Sequence, residues 1–371
     1  NYVDNTGRYG GGGVYLDTDG DLTVYDSRFV HNDSSYGPGG GLLRAPCTQP
    51  GSSVRVVRTL FSRNRATYGG GLYWNCDFSA TQIEDSTFVG NTADHGGGLF
   101  WAGGAPEIVG CTVINNSAKG NVLGASGDMS LFSTLLSFNA MQASDVCGGG
   151  GGMFGLSADA RIENCFIRGN STSGAGGGVY LAGDPNMPVM RNCLIRNNTA
   201  EMGGGGVASL WYVPAKIVNC TIVENSTSDP RDETRGRGGG LYCSYESETL
   251  LTDSILWDNT GVHGDEIAIG SIAGATGFER PAVLTVTYSD VQGGNSAPAV
   301  HVEPGRTLNW GPGNIDADPL FIKPYYYLSH VAAGQGATSP AVNAGSDSAA
   351  ALLLDNYTTR SDGEPDTGIA D

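Results

Sequence analysis

One motif recurs along most of the chain, and no other feature limits the possible folds so strongly. Its clearest copy is residues 86–101, STFVGNTADHGGGLFW, with an apolar pair, an asparagine, a turn, three glycines and a second apolar run. The asparagine of this motif recurs at intervals of 23 to 34 residues up to residue 259. A period of this size is typical of architectures in which similar units stack on one another.

The apolar segments of each repeat are predicted to be β-strands. They are short, rich in Val, Ile, Phe and Tyr, and bounded by Gly, Asn, Asp and Ser, which is typical of strands. No segment shows a sustained helical period with caps. One such repeat cannot bury its own apolar side, but stacked coils can, with equivalent strands pairing at ~4.8 Å. The sequence therefore predicts an all-β fold, a parallel β-helix of about ten coils, or rungs.

The recurrent asparagines are predicted to form a ladder along the axis of the β-helix. Asparagine tolerates the left-handed backbone region at a corner, and identical asparagine side chains on stacked rungs can hydrogen-bond to one another. After a first copy at Asn5, the predicted members are Asn32, Asn64, Asn91, Asn116, Asn139, Asn170, Asn198, Asn225 and Asn259.

The repeats occupy residues 1–281, and the rest of the chain has a different character. Residues 282–294 have the pattern of a last strand pair, whereas residues 314–321 (NIDADPLF) and 339–346 (SPAVNAGS) contain Pro and Asp without any repeat. An open end of a β-helix exposes unpaired strand edges. We therefore expect residues 282–371 to provide the last rungs and a C-terminal cap.

Several motifs resemble those of a known class of proteins. The FxxN pattern at residues 29–32, 61–64 and 88–91, followed by two glycines and an apolar residue, is similar to the repeat of polymorphic outer-membrane proteins. Together with the C-terminal motifs, it makes the whole chain resemble secreted bacterial right-handed parallel β-helix proteins. The resemblance implies a right-handed solenoid on the outside of a cell, and it covers adhesin-like and polysaccharide-active members.

Alternation along the strand after each glycine run predicts an outward-facing aromatic column. Val14, Leu42, Leu72 and Leu99 should point inward, so that the next residue of each strand points outward. The predicted outward residues are Tyr15, Tyr73, Phe100, Phe154, Tyr180 and Tyr242. Such a column either stiffens the sheet by ring stacking or forms a face that binds a sugar or a protein partner.

Charge and acidic residues narrow the possible partners. The net charge of 20 − 38 = −18 argues against a nucleic-acid or anionic-membrane partner, since both need a basic face. No apolar run reaches the ~20 residues of a membrane-spanning helix.

Asp17, Asp19 and Asp21 form the one compact carboxylate cluster. Alternating Asp around a bend is how calcium loops collect oxygen ligands, so the sequence indicates either a Ca²⁺ site or a plain polar turn.

The eight cysteines separate into two groups. Cys111, Cys165, Cys193 and Cys220 each lie five residues before a ladder asparagine, where other repeats have Ser or Thr. We interpret this position as a column of small interior residues. Cys47 and Cys76 follow the glycine runs of neighbouring rungs and are the best candidates for a disulfide.

These features favour an extracellular, non-enzymatic β-helix of a cell surface or matrix. It would associate with itself, end to end or laterally, into a fibre or layer, or bind a surface glycan as an adhesin does. The alternative is a polysaccharide lyase or glycoside hydrolase that acts on an extracellular glycan along one face of the β-helix. Such an enzyme needs carboxylates that converge from neighbouring rungs, and no acidic column is evident from the repeat alignment.

Overall fold

The protein is described by a computed structural model. It describes the chain except residues 18–19, 35, 46–51, 76–79, 104, 120–149, 157–158, 183–186, 228–235, 272–280, 353, 355–357 and 366–367, and for residues 80 and 156 only the backbone.

The described chain folds as a parallel β-helix, as predicted. Each rung contributes one strand to each of sheets I, II and III, and most rungs add a two-residue strand to sheet IV. Sheets I to III have ten strands each in the described residues and sheet IV has seven, all parallel to their neighbours. A strand therefore pairs with its equivalent one repeat away.

The strands of sheet I are β2 (Val14–Leu16), β6 (Leu42–Arg44), β10 (Leu72–Asn75), β14 (Leu99–Ala102), β18 (Met153–Leu156), β22 (Val179–Ala182), β26 (Val207–Leu210), β30 (Leu241–Ser244), β33 (Ile267–Gly270) and β36 (Val300–Val302). Those of sheet II are β3 (Leu22–Tyr25), β7 (Ser53–Val57), β11 (Ala80–Glu84), β15 (Glu107–Val109), β19 (Arg161–Glu163), β23 (Val189–Arg191), β27 (Lys216–Val218), β31 (Glu248–Thr252), β34 (Val283–Thr287) and β37 (Thr307–Trp310).

The strands of sheet III are β1 (Tyr2–Val3), β4 (Arg28–Val30), β8 (Leu60–Ser62), β12 (Thr87–Val89), β16 (Thr112–Ile114), β20 (Phe166–Arg168), β24 (Leu194–Arg196), β28 (Thr221–Val223), β32 (Ile255–Trp257) and β35 (Asp290–Val291). Those of sheet IV are β5 (Asp33–Ser34), β9 (Arg65–Ala66), β13 (Thr92–Ala93), β17 (Ser117–Ala118), β21 (Ser171–Thr172), β25 (Thr199–Ala200) and β29 (Ser226–Thr227). A hairpin of β38 (Phe321–Ile322) and β39 (Tyr327–Leu328) and a 3-10 helix, Val331–Ala333, follow.

The interior of the coil is one continuous apolar core. Phe29, Phe61 and Phe88 stack on successive rungs with ring centroids 4.8 and 4.7 Å apart. The indole of Trp101 fills the space beside Gly155, where a Cβ would lie 2.3 Å from its Cζ2 atom. The core is thus built from columns of like residues, with glycine where a large neighbour needs room.

The asparagine ladder is confirmed by its hydrogen bonds. Asn91 Nδ2 donates to Asn116 Oδ1 at 2.9 Å and to the Phe61 carbonyl at 2.9 Å, and the Asn91 backbone N–H also donates to Asn116 Oδ1. The same pattern runs from Asn32 to Asn259, and all these side chains are buried. The ladder asparagines themselves do not adopt the left-handed conformation. The residue before them does, for example His31 with φ 55° and Asn115 with φ 53°.

The prediction that Asn139 belongs to the ladder is wrong. Asn116 Nδ2 donates directly to Asn170 Oδ1 at 3.0 Å, and β16 pairs with β20, so no rung lies between them. Asn139 itself is outside the described residues. Regular spacing along the chain had suggested a rung that the stacking does not contain.

The C-terminal end of the ladder is closed by a carboxylate. The backbone N–H of Asn259 donates to Glu266 Oε1 at 3.2 Å and its Nδ2 donates to Glu266 Oε2 at 2.5 Å. Glu266 takes the place of the third glycine of the run. In earlier rungs a side chain at this position would collide with its neighbours. A Cβ at Gly98, for example, would lie 3.2 Å from Asn116 Nδ2. Glu266 therefore supplies the acceptor that the next asparagine supplies elsewhere.

The interior cysteine column is also confirmed. Cys111, Cys165, Cys193 and Cys220 are free, buried thiols, and each Sγ donates to nearby backbone carbonyls, such as Cys165 to Glu163 at 3.2 Å. Burial raises the pKa of Cys165, Cys193 and Cys220 well above the usual value. Buried, protonated thiols are poor nucleophiles, so this column serves packing.

The C-terminal segment, residues 321–354, packs on the outer faces of sheets II and III. Leu328 and Ala341 cover Ile255, and Ser346 donates to the buried Asp253 from its backbone N–H and its Oγ. All contacts described for this segment with the coil involve rungs from Arg191 onward. It thus covers part of the C-terminal half of sheet III and reaches sheet II at Arg191, whereas the outer side of sheet II has exposed residues in both halves, such as Arg55 and Glu248.

Candidate functional site

The predicted aromatic column points out of the coil, but it is not exposed. Tyr73, Phe100, Phe154, Tyr180 and Tyr242 are at most 3% exposed, whereas Tyr15, in the first rung, is 53% exposed. These rings stack, with Phe154 and Tyr180 centroids 4.5 Å apart. The column therefore belongs to a second apolar cluster on the outside of sheet I, and only Tyr15 is accessible to a ligand.

Turn residues build the outer layer that packs against this column. The segment before each glycine run supplies Tyr68, His95, Ala175 and Met202, and the turn after sheet I supplies Trp211 and Tyr245. Tyr68 packs edge-on against Phe100 at 5.4 Å. The prediction of an exposed face failed because alternation shows which side of the strand a residue occupies, but not what a turn places over it.

A different surface, the outer side of sheet II, is exposed and carries charge. Its N-terminal half presents Tyr25, Arg55, Gln82, Glu84, Glu107, Arg161 and Glu163, which we call the charged face. Arg55, Gln82, Glu107 and Arg161 lie directly opposite one another on successive rungs. The Arg161 side chain is 51% exposed and that of Glu107 is 42% exposed. The charged face is thus a flat, solvent-accessible surface on a rigid scaffold.

Hydrogen bonds and ion pairs link the side chains of the charged face. Arg161 donates to both carboxylate oxygens of Glu163 at 2.9 Å and lies 3.7 Å from Glu107. Gln82 donates to Glu107 at 3.3 Å. Arg55 donates to Glu84 at 3.3 Å and to the Tyr25 hydroxyl at 3.1 Å. The carboxylates from three neighbouring rungs are therefore already engaged by Arg or Gln.

Sequence reasoning missed the charged face, although a signal for it exists. Arg55, Gln82, Glu107 and Arg161 each lie nine residues before a ladder asparagine. These residues differ in charge and size, so no single amino acid repeats at this position. An alignment by distance from the ladder asparagine, rather than by residue type, would have identified them.

Nothing described tests the predicted calcium site. Asp17 and Asp21 are exposed, and Asp21 Oδ1 already accepts hydrogen bonds from the Ser53 N–H and hydroxyl. Asp19 lies outside the described residues. Within the part of the chain that the structure describes, no three or more His, Cys, Asp or Glu side chains are grouped to hold a metal ion. Ca²⁺ binding at these residues stays a prediction.

The predicted disulfide also stays untested, because Cys47 and Cys76 both lie outside the described residues.

Two buried carboxyl groups near the C-terminal end of the coil have perturbed acidity. Burial raises the pKa of Glu266 to about 7, against the opposing effect of its hydrogen bonds from Asn259. Burial likewise raises the pKa of Asp290 to about 7, with a further contribution from Asp316 and Asp318. Both groups lie under packed structure, so they affect stability rather than a substrate.

Comparisons with known proteins identify the family. The comparison with curated proteins finds no significant match. Among the described residues, no helix has the length and apolar character needed to cross a membrane. A family model described as a right-handed β-helix region matches residues 99–296, more than half of the chain. With its parallel sheets and stacked rungs, this chain belongs to the right-handed β-helix family.

Proposed function

We propose that this chain is a non-enzymatic structural protein of a cell surface or extracellular matrix, and that copies of it associate laterally through the charged face. The observation that carries the proposal is the row of charged side chains that successive rungs present on the outer side of sheet II. The described contacts of residues 321–354 with the coil lie on rungs from Arg191 onward, so this row stays in solvent.

Charge supports this surface as the place of contact. The chain has a net charge of −18, so most approaches between two copies are repulsive. On the charged face Arg55 and Arg161 oppose Glu84, Glu107 and Glu163, which gives 2 − 3 = −1. Two copies therefore repel each other less here, and side chains of both signs could exchange their present partners for partners across an interface.

The asparagine ladder argues against the simplest fibre, in which rungs stack end to end. Such a fibre would continue the ladder from one copy to the next. The donors of Asn259, however, are already taken by Glu266 within the same copy. Lateral contact needs no continuation of the ladder and is the mode that we propose.

Sedimentation velocity over a range of protein and salt concentrations tests the proposal. We expect oligomers at low salt that dissociate as salt screens the charges. Arg161→Glu should abolish association, and Lys119→Glu is the matched control, because Lys119 is exposed on another side of the coil. A monomer under every condition, or equal association of both variants, would contradict the proposal.

The second candidate is an enzyme that acts on a polysaccharide. The observation in its favour is that Glu84, Glu107 and Glu163 project from neighbouring rungs of one exposed face, as acid catalysis along a glycan requires. Their pairing with Arg and Gln argues against it. A screen of acidic and neutral polysaccharides decides, since turnover that is lost in Glu107→Gln would replace the first proposal with the second.

A further inference from the structure

Two histidines lie together on the outer side of sheet I at the last rungs. His301 is in register with Ala268 and so continues the column of Tyr180 and Tyr242. His263 lies before a glycine run and bridges to the rung above at Arg237. Both imidazoles are partly exposed.

The same two positions hold closed aromatic pairs in earlier rungs. Tyr68 packs against Phe100 at 5.4 Å, and His95 packs against Phe154 at 5.8 Å. Phe100, Phe154 and His95 are at most 2% exposed. Near the C-terminal end, this arrangement becomes accessible to solvent and presents two imidazole rings instead.

The distance between the two rings fits the chelation of one metal ion. Their centroids are 5.2 Å apart and their planes are tilted by 39°. With metal–nitrogen bonds of about 2.1 Å, ring nitrogens about 1.1 Å from their centroids and a tetrahedral angle, two imidazoles on one ion have centroids about 5.2 Å apart. The separation therefore permits a shared metal ion, although stacked rings such as Tyr73 and Phe100 have the same spacing, so the inference depends on the two rings being imidazoles.

The surrounding charges permit a cation at this place. The nearby Arg237 is paired with Glu303, with Nε 2.8 Å from Oε1. The second oxygen of Glu303 accepts hydrogen bonds from the N–H and Oγ of Ser271. The positive charge of Arg237 is therefore balanced by a carboxylate of the same chain.

We propose that His263 and His301 bind one divalent transition-metal ion of the zinc and copper class. The two imidazoles supply both protein ligands, and water completes the coordination. Among the described residues no third His, Cys, Asp or Glu side chain joins them in a cluster that could hold a metal ion. Imidazole, rather than the oxygen ligands that Ca²⁺ prefers, sets the class of metal.

Isothermal titration of the metal-free full chain with Zn²⁺ tests the site. We expect saturable binding that is lost in His301→Phe and in His263→Tyr. These substitutions place Phe and Tyr where earlier rungs have Phe154 and Tyr68, so packing should be retained. Thermal unfolding without metal should confirm this. His330→Ala is the control, because His330 lies in the C-terminal segment, where its Nδ1 accepts from the Ala332 N–H.

Acid should weaken Zn²⁺ binding, because protonated imidazole cannot ligate a metal. Absence of saturable binding to the natural chain would overturn the proposal. Equal binding by the natural chain and by both His301→Phe and His263→Tyr would also overturn it, since the metal would then lie elsewhere.

Discussion

The N-terminal and C-terminal halves of the coil share one interior and differ on their outer faces. Asn91 and Asn198 make equivalent hydrogen bonds to the next asparagine, both at 2.9 Å. On the outside, Val223 and Ile255 are buried, Ile255 by Leu328 and Ala341 of the C-terminal segment, whereas the equivalent Val89 and Thr112 are partly exposed. The repeat therefore specifies the interior, and the outer face is the part free to take on a function.

The largest effect is expected inside the coil, and it should be equal in the two halves. Asn91→Leu removes the acceptor of the Asn64 N–H, one of the two acceptors of Asn64 Nδ2, and the Nδ2 donor of the Phe61 carbonyl. Each of these three buried groups loses about 1–3 kcal/mol, so the free energy of unfolding should fall by roughly 3–9 kcal/mol. Asn198→Leu should cost the same. Denaturant unfolding measures the loss of stability in both variants, and unequal losses would contradict the conclusion that the two halves share one interior.

A smaller effect on stability is expected at one corner position, which holds the C-terminal segment in one half of the coil and is exposed in the other. Asp253 holds Ser346 of the C-terminal segment, whereas Asp85 is exposed at the equivalent corner, and both have a left-handed backbone, with φ 49° and 48°. Asp253→Ala should destabilise the docked segment by about 1–3 kcal/mol more than Asp85→Ala does, because only the former removes two hydrogen bonds from this segment to a buried carboxyl group.

Limited proteolysis measures this difference directly. Cleavage within residues 321–354 should accelerate in Asp253→Ala and remain unchanged in Asp85→Ala. Equal cleavage in the two variants would show that the segment is not held through Asp253.

The pH dependence of stability should also distinguish the C-terminal half. The folded chain keeps a proton on Glu266 up to a pKa of about 7, whereas the unfolded chain loses it near the ordinary glutamate pKa of 4.5. This contribution to stability is therefore full below pH 4.5 and is lost as pH rises through 7. Asp290 acts in the same direction, with a pKa of about 7.

The free energy of unfolding measured at pH 5 and pH 8 checks this. The natural chain should be less stable at pH 8, by on the order of 1–3 kcal/mol from Glu266. Glu266→Gln should reduce the difference between the two pH values, with Glu107→Gln on the charged face as the control. An unchanged difference in Glu266→Gln would contradict the assignment.

The smallest effect on stability is expected on the charged face. Arg161→Ala removes exposed ion pairs to Glu107 and Glu163, which contribute about 0–1 kcal/mol each. Its unfolding should be nearly unchanged while association is lost. A large loss of stability would mean that this face serves the fold rather than a partner.

The interior was predictable from the sequence because its residues repeat. The Asn ladder, the inward aliphatic column and the small Cys, Ser and Thr column each recur as one residue or one class of similar residues at one position, since a similar neighbour lies above and below. Asn139 was wrongly included because spacing along the chain does not show which rungs stack. The ladder passes from Asn116 to Asn170 directly.

The outer faces were not predictable in the same way. Burial of Phe100 depends on turns such as that of Tyr68 and His95, whose path over the sheet is not visible in the strand pattern. The charged face uses different residues on each rung, so no single type recurs. Glu266 is visible in the sequence as a replacement of one glycine of the run. Its hydrogen bond with Asn259 could be identified only from the strand register in the structure.

Hydroxyl-radical footprinting of the dilute and the associated chain tests the central claim that the charged face is the contact surface. Tyr25 lies on the charged face and is 46% exposed, Tyr36 lies on a turn and is 87% exposed, and Tyr325 lies in the C-terminal segment and is 70% exposed. We predict that association protects Tyr25 from oxidation and leaves Tyr36 and Tyr325 as reactive as before. Unchanged reactivity of Tyr25 in the associated chain, or protection of Tyr325 instead, would contradict the account.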